Sequence, residues 1–145
     1  MNVVTDPVAL ANELRPVLLR LARQLRRELH ELDLTAGQAS VLAVIGKYPG
    51  LGPGKLADHE GVSRPRMSKV VSELCAAGLV ASEREGTDRR RVGLELTAQG
   101  KTVVQSIRRR RTALLASRLQ GLTPDELERV EAVVPLLAKL LEEPE

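Results

Sequence analysis

Two short clusters of basic and hydroxyl side chains are the groups in this sequence that could bind a polyanion. The first lies within seven consecutive positions free of acidic residues and contains Ser63, Arg64, Arg66, Ser68 and Lys69. The second is Asp88-Arg89-Arg90, which Arg91 follows directly. Arginine can make paired hydrogen bonds to a phosphate or to the edge of a guanine. These residue types therefore predict contacts to nucleic acid.

The distribution of charge along the 145 residues agrees with this interpretation. Residues 47–111 contain fourteen basic and seven acidic side chains, whereas residues 124–145 contain two basic and seven acidic ones. The formal net charge of +3 therefore combines a basic middle with an acidic C-terminal segment. A basic middle is typical of surfaces that bind polyanions. Charge alone leaves open a surface that is solvated and unevenly charged.

A pair of short helices is predicted to carry the first cluster. The sequence predicts one helix over residues 55–60, a tight turn at Gly61-Val62, and a second helix over residues 64–77 that Ser63 caps and Gly78 ends. The basic cluster occupies one face of the second helix. The apolar face consists of Met67, Val70, Val71, Leu74 and Cys75. This spacing is typical of a helix-turn-helix, although many other helix pairs share it.

A predicted β-hairpin follows the second helix and carries the second cluster. Residues 79–84 have the composition of a strand, residues 86–90 form a polar loop, and apolar residues alternate over positions 92–96. The hairpin that carries this basic tip directly follows the amphipathic second helix. This is the winged helix-turn-helix layout, in which the helix enters the major groove and the wing reaches an adjacent groove.

Four further helices are predicted around this unit. One runs from about residue 8 to residue 32, with a possible kink at Pro16, and a second begins at Thr35. A third covers about residues 98–120, and Thr123 caps the last, in which Pro135 is expected to cause a kink. The expected fold is therefore mainly α with a small β-wing, consisting of six helices and a two-stranded hairpin.

With these elements in place, the sequence resembles the MarR-type winged-helix transcriptional regulators. The resemblance covers about residues 8–142, and its motifs fall between positions 56 and 100. The motif residues are Leu56-Ala57, Gly61-Val62-Ser63-Arg64-Pro65, Leu74, Ala77-Gly78-Leu79-Val80, Asp88-Arg89-Arg90, Leu94-Glu95-Leu96-Thr97 and Gly100. The sequence departs from the family pattern at Pro135 and in the basic run Arg108–Arg111, either of which could alter the dimer geometry.

The resemblance implies a domain organisation and a set of partners. Residues 1–34 would form an N-terminal dimerisation helix, residues 35–97 the DNA-binding winged helix-turn-helix lobe, and residues 98–145 the C-terminal dimerisation helices. The expected protein is a homodimeric repressor that binds double-stranded DNA at a pseudo-palindromic operator. A small molecule of unknown identity, bound in a cleft formed by the first, second and fifth helices, would cause the release of DNA. The alternative is that no effector exists and the protein responds only to its own concentration. With one aromatic residue in the chain, Tyr48, an apolar or anionic effector is expected.

The two clusters receive specific roles in this interpretation. Arg66 and Lys69 are expected to contact bases or phosphates, with Ser68 beside them, while Ser63 and Arg64 contact phosphate. In the wing, the resemblance pairs Asp88 with Arg90, which would enter the minor groove. Arg89 and Arg91 would contact phosphates. The alternative is that these side chains only solvate the protein surface.

Other classes of function find less support. The sequence lacks a glycine-rich phosphate loop, a nucleophile elbow and a paired histidine motif, so an enzyme is not expected. No cofactor, metal or membrane-spanning segment is expected, and Cys75 is predicted to be a buried thiol in a cytoplasmic protein. The run Arg108–Arg111 is expected to be solvated or paired with the acidic last helix, and a phosphate contact is the alternative. A winged helix that binds proteins instead of DNA stays open as the competing function.

Overall fold

The computed structural model describes residues 4–84 and 92–142. In these ranges it contains six α-helices, one 3₁₀ turn and a two-stranded sheet, as the sequence predicted. The elements are α1 (Pro7–Arg27), a 3₁₀ turn (His30–Leu32), α2 (Ala36–Lys47), α3 (Pro53–Glu60), α4 (Arg64–Ala76), β1 (Val80–Arg84), β2 (Val92–Leu96), α5 (Ala98–Leu119) and α6 (Pro124–Lys139).

The first helix ends earlier than its apolar spacing predicted. Helix α1 continues through Pro16 without a break, but it ends at Arg27 instead of near residue 32. The 3₁₀ turn follows, and Asp33 then adopts a left-handed conformation with φ of 53°. This reversal allows the N–H of Leu34 to reach the carbonyl of Leu29 at 3.4 Å. As a result, Leu29 is only 2% exposed and packs near Ala39 and Ile107.

Local sequence signals explain where α2 begins and where α3 begins and ends. Thr35 and Gln38 form a reciprocal capping box at the start of α2. Helix α3 begins at Pro53, two positions before its predicted start, because proline is well suited to the first turn of a helix. Gly61 ends α3 with φ of +64°, a conformation that glycine adopts at little cost.

The hairpin packs on the helix-turn-helix through one apolar core. Strands β1 and β2 are antiparallel, with Val80 opposite Leu96 at one end and Arg84 opposite Val92 at the other. Leu94 also exchanges backbone hydrogen bonds with the loop after α2, from Gly50 at 2.9 Å and to Leu51 at 3.0 Å. The fully buried side chains of this core come from α2, α3, α4 and β2: Leu42, Ile45, Leu56, Met67, Leu74 and Leu94. Strand β1 adds Val80, which is 4% exposed. The winged helix-turn-helix fold is therefore confirmed.

The chain divides into two compact units, and the division falls inside α5 between Arg110 and Arg111. The first unit contains α1 to β2 and the first half of α5. The second contains the rest of α5 and α6, which continues through Pro135 from Pro124 to Lys139. The expected separation of the chain at residues 34 and 97 into dimerisation and DNA-binding parts stays a prediction.

A capping box at the start of α6 gives a pH-dependent contribution to stability. The N–H of Thr123 donates to Oε1 of Glu126 at 3.0 Å, and the N–H of Glu126 donates to Oγ1 of Thr123 at 3.2 Å. The backbone hydrogen bond from Thr123, and then the one with its side chain, hold the pKa of Glu126 below its ordinary value. A carboxyl whose pKa is lower in the folded state stabilises the fold above its unfolded pKa, and this contribution is lost as the pH falls through the folded pKa.

We therefore expect a Glu126→Ala variant to have a lower Tm than the wild type at neutral pH. The difference should shrink as the pH falls through the folded pKa, because Glu126 is then protonated in the wild type as well. Thermal unfolding followed by circular dichroism over a pH series measures this difference. Glu128→Ala serves as the control on the same helix. A difference in Tm that is constant with pH would contradict the assignment.

Candidate nucleic-acid interface

The five candidate side chains on α4 lie on its exposed surface. Ser63, Arg64, Arg66, Ser68 and Lys69 are all exposed to solvent. On the opposite side of the same helix, Met67 and Leu74 are each 1% exposed and anchor α4 in the core. The buried positions recur at helical spacing, so the basic residues between them face outward. The exposed surface of the first two turns therefore carries three cations and no carboxylate.

Ser63 combines a structural role with an available donor. Its Oγ accepts a hydrogen bond from the N–H of Arg66 at 3.3 Å and caps α4. Accepting this bond leaves the hydroxyl hydrogen able to donate to a second group. Phosphate oxygens are acceptors only, so a capping serine at this position is chemically suited to a phosphate contact.

Arg64 lies against the first turn of α3, a contact that the sequence did not predict. A Cβ atom placed on Gly54 would be 3.7 Å from Nη2 of Arg64, so the guanidinium lies over the glycine backbone. Gly52, the N-cap of α3, supplies no side-chain hydrogen bond to the helix. The guanidinium of Arg64 and the first N–H groups of α3 therefore lie on the same part of the surface. Both favour an anion.

Two polar contacts that the sequence analysis missed hold α2 against the helix-turn-helix. Nε2 of Gln38 donates to Oε2 of Glu73 on α4 at 2.9 Å. The hydroxyl of Ser40 donates to the carboxylate of Glu60 on α3, with oxygen distances of 2.8 and 3.0 Å. These contacts join residues that lie 35 and 20 positions apart, respectively. No local motif could have indicated them, because both partners are ordinary polar residues on separate helices.

The prediction of a buried thiol at Cys75 was wrong. Cys75 is exposed. The buried and half-buried positions of α4 are Met67, Val70, Val71 and Leu74, which form a narrow stripe at i, i+3, i+4 and i+7. Cys75 is the next residue after Leu74 and lies at the edge of this stripe. The face of α4 that contacts the core is too narrow to include it, so its thiol is exposed to solvent.

The second cluster, Asp88-Arg89-Arg90, lies outside the described residues, as does Arg91. The structure shows the two strands that flank it. Arg84 pairs with Val92 at the end of the ladder, so the chain leaves β1 and enters β2 at adjacent positions. The roles of Asp88, Arg89 and Arg90 in DNA binding stay predictions.

The arginine run of α5 divides between different surroundings. Arg110 forms an ion pair with Glu31 of the 3₁₀ turn, in place of the predicted partner in the acidic last helix. Arg108 and Arg109 are exposed, and Arg108 lines a groove beside α2. Successive positions on a helix differ by about 100°, so neighbouring arginines face different surroundings.

The described ranges, residues 4–84 and 92–142, contain no group of three or more histidine, cysteine or acidic side chains that could hold a metal ion. Within the same ranges, none of the helices has both the length and the apolar character needed to cross a membrane.

Comparisons with known proteins agree with the fold. The sequence model of the MarR family matches residues 32–91, which include α2, α3, α4 and β1. An HTH-type transcriptional regulator of Mycobacterium leprae is 31% identical over 134 residues, which cover 92% of this chain and 94% of the relative.

Solved structures show the same architecture. Wild-type MarR from E. coli, in its apo form, is 25% identical to this chain, with a TM-score of 0.73 and coverage of 97% of this chain and 100% of that one. Streptococcus pneumoniae FabT, whose structure was solved in complex with DNA, is similar in fold. It has a TM-score of 0.73 at 20% identity and covers 94% of this chain and 97% of its own.

The family match over the helix-turn-helix, the similarity to a regulator along nearly the whole chain and the exposed basic face of α4 agree with one another. Together they identify a transcriptional regulator and not an enzyme. The chain belongs to the MarR family of DNA-binding, winged helix-turn-helix transcriptional regulators.

Proposed function

We propose that this regulator is a homodimeric repressor that binds a specific pseudo-palindromic sequence and releases it when a small molecule binds. The observation that carries the proposal is the face of α4, where three cations and a capping serine lie exposed above a buried apolar anchor. The FabT structure in complex with DNA supports DNA as the partner.

In the proposed complex, the first two turns of α4 enter the major groove. Arg66 and Lys69 contact base edges or phosphates, and Ser68 adds a hydroxyl beside them. Ser63 and Arg64 bind a phosphate together with the first N–H groups of α3, because the Arg64 guanidinium lies over Gly54. In the wing, Arg90 enters the minor groove, Asp88 orients it and Arg89 contacts a phosphate.

The exposed apolar residues of α1 and α6 support a dimer. On α1, Val8 is 69% exposed and Val17 is 54% exposed. On α6, Val134 is 59% exposed, and Val130 lies one turn earlier on the same face with 37% exposure. Covering such side chains with a second copy removes apolar surface from water, which stabilises the assembly.

We expect a Val130→Asp, Val134→Asp double variant to be monomeric at concentrations where the wild type is dimeric. Two carboxylates without partners would be buried in the apolar face of the interface. The free energy of removing these charges from water exceeds the free energy that apolar burial contributes at the two positions. Sedimentation velocity measures the molecular mass of both proteins. Ala132→Asp, which adds the same side chain to the polar face of α6, should leave the dimer intact. A dimeric double variant would refute this interface.

Quantitative DNA binding tests the proposed function as a whole. A labelled duplex from the region upstream of the protein's own coding sequence is titrated by fluorescence anisotropy, beside a shuffled duplex of the same composition. A specific repressor should prefer its operator by a factor of at least about 10³, and its affinity should fall steeply with salt. If each duplex from the upstream region binds with the same affinity as its shuffled counterpart, sequence-specific binding is rejected. The absence of any DNA binding would favour the competing function of a protein-binding module.

A further inference from the structure

Both ends of the side-chain amide of Gln38 are bound, and they connect two helices. Its Oε1 accepts a hydrogen bond from the N–H of Thr35 at 3.0 Å, as part of the capping box of α2. Its Nε2 donates to Oε2 of Glu73 on α4 at 2.9 Å. A backbone N–H can only donate and an ionised carboxylate can only accept, so these partners fix the orientation of the amide.

The contact with α4 explains why this position holds a glutamine. Glutamate and glutamine both serve at the third position of a capping box. A glutamate here would place one carboxylate against another, whereas glutamine accepts from Thr35 and donates to Glu73 with the same side chain. The cap alone would therefore allow either residue, and the contact with Glu73 selects glutamine.

Glu73 is the one acidic residue of α4, and it lies on the side of the helix that carries the cations. Positions four apart are neighbours on a helix surface, so Glu73 lies one turn beyond Lys69 and two turns beyond Arg66. The other positions three or four away from Glu73 hold valine or alanine. Lys69 is therefore the natural ion-pair partner of Glu73 along the helix.

The folded chain holds this carboxylate elsewhere. Among residues 4–84 and 92–142, Lys69 takes part in no ion pair, while the carboxylate of Glu73 is bound to Gln38. The adjacent Leu74 is 1% exposed, so this turn of α4 is fixed in the core beside α2. The exposed ammonium of Lys69 is left available to a phosphate or a base edge.

We propose that Gln38 is a positioning residue for DNA binding, which keeps Lys69 free by holding the carboxylate of Glu73. Without the donor on Gln38, the carboxylate turns to Lys69 and neutralises it, and DNA then has to displace the carboxylate. The inference rests on the proposed function, because it takes Lys69 as a contact to DNA. It gives a residue of α2, outside the helix-turn-helix, a defined part in DNA binding.

Gln38→Glu is the variant that tests this role, because it keeps the acceptor of the capping box and removes the donor to Glu73. An ion pair between positions four apart on a helix shifts an equilibrium by about twofold, so a dimer with two such pairs should bind the operator about fourfold more weakly. The affinity should also depend less steeply on salt, since fewer counterions are released. Ala36→Glu, the control, adds the same charge to the exposed first turn of α2 and should bind as the wild type does.

Two further backgrounds identify the groups through which Gln38 acts. In a Gln38→Glu, Glu73→Gln variant, the amide introduced at position 73 can donate to the carboxylate introduced at position 38. No carboxylate is then left on α4 for Lys69, so the affinity should return to the wild-type value. In a Lys69→Met background, Gln38→Glu should cause no further loss, whereas a residue that only orients α4 would cause the same loss with or without Lys69.

Thermal unfolding of each variant confirms that it is folded before its affinity is compared. Wild-type affinity and salt dependence of Gln38→Glu would overturn the proposal. A loss that persists in the Lys69→Met background, or that the Glu73→Gln exchange fails to restore, would overturn it as well.

Titrating every variant with both the operator and the shuffled duplex separates this inference from the proposed function. If the wild type binds the two duplexes equally, the specific repressor is rejected, while the effects of Gln38→Glu and Lys69→Met on the shuffled duplex at low salt still decide the role of Gln38. Wild-type affinity of Lys69→Met for both duplexes would refute the inference and leave a repressor that binds through the other residues of α4.

Discussion

Replacing Gly100 by alanine should destabilise the winged-helix unit by at least about 3 kcal/mol, near the upper end of what overpacking usually costs. Gly100 is buried in the first turn of α5. A Cβ atom at this position would be 2.0 Å from the carbonyl oxygen of Leu79 and 3.0 Å from its carbonyl carbon. The first distance is far shorter than any contact that real Cβ atoms make and the second is tighter than most of them, so the backbone of α5 or of residue 79 has to move.

Hydrogen bonds on both sides of this contact oppose any movement of the α5 backbone away from Leu79. The carbonyl of Leu79 accepts from the N–H of Thr97 at 3.1 Å. The hydroxyl of Thr97 donates to the carbonyl of Gly78 at 2.6 Å and accepts from the N–H of Gly100 at 3.0 Å. Moving α5 away from Leu79 would break this network, which joins the end of α4 and the start of β1 to α5.

Urea unfolding followed by circular dichroism measures the effect of Gly100→Ala. Gly37→Ala is the matched control, because the only neighbour of its Cβ outside the local helix would be Oγ1 of Thr35 at 3.9 Å, an ordinary contact. Alanine in place of a helical glycine should stabilise α2 by up to about 1 kcal/mol. The two substitutions should therefore change the free energy of unfolding in opposite directions. Equal effects would show that the close approach of Gly100 to Leu79 is unimportant.

Arg66→Ala should lower the affinity for the operator roughly ten- to hundredfold, which corresponds to about 1–3 kcal/mol for one well-placed contact. Arg66 is exposed in the first turn of α4, and its backbone N–H is already bound to the cap, so the substitution removes only the guanidinium. Alanine is a better helix former than arginine or equal to it, so α4 itself should be unaffected.

Operator titrations at several salt concentrations distinguish the two roles that Arg66 could have. If it contacts a phosphate, Arg66→Ala should weaken binding to all duplexes and reduce the salt slope by about one. If it contacts a base, the discrimination at one operator position should disappear. Arg109→Ala, which removes an exposed arginine outside the DNA-binding face, is the control. Wild-type affinity and slope for Arg66→Ala would remove Arg66 from the interface.

Much of this fold can be derived from the sequence because its signals are local. The capping boxes of α2 and α6 each involve residues three positions apart, and the apolar positions of α4 and β2 repeat at the spacing of a helix and a strand. Such features depend on the backbone conformation of a few neighbouring residues. The helix-turn-helix, the hairpin and the exposed basic face of α4 were therefore predictable, together with the family.

Contacts between distant segments had to come from the tertiary structure. The end of α1 depends on the reversal at Asp33, and the exposure of Cys75 depends on how wide a face of α4 meets the core. The contact of Arg64 with Gly54 and the approach of Gly100 to Leu79 depend on how whole elements are placed. No periodicity or cap encodes these distances, because they arise from the packing of elements that lie far apart in the chain.

The basic residues show the same division most clearly. The sequence alone identified the charge of Arg108–Arg111 and the helix that carries it. Only the folded chain assigns Arg110 to Glu31, 79 positions away, and Arg108 to the groove beside α2. Helical geometry orients neighbouring side chains in different directions, and the elements packed on each side then decide the partner of each one.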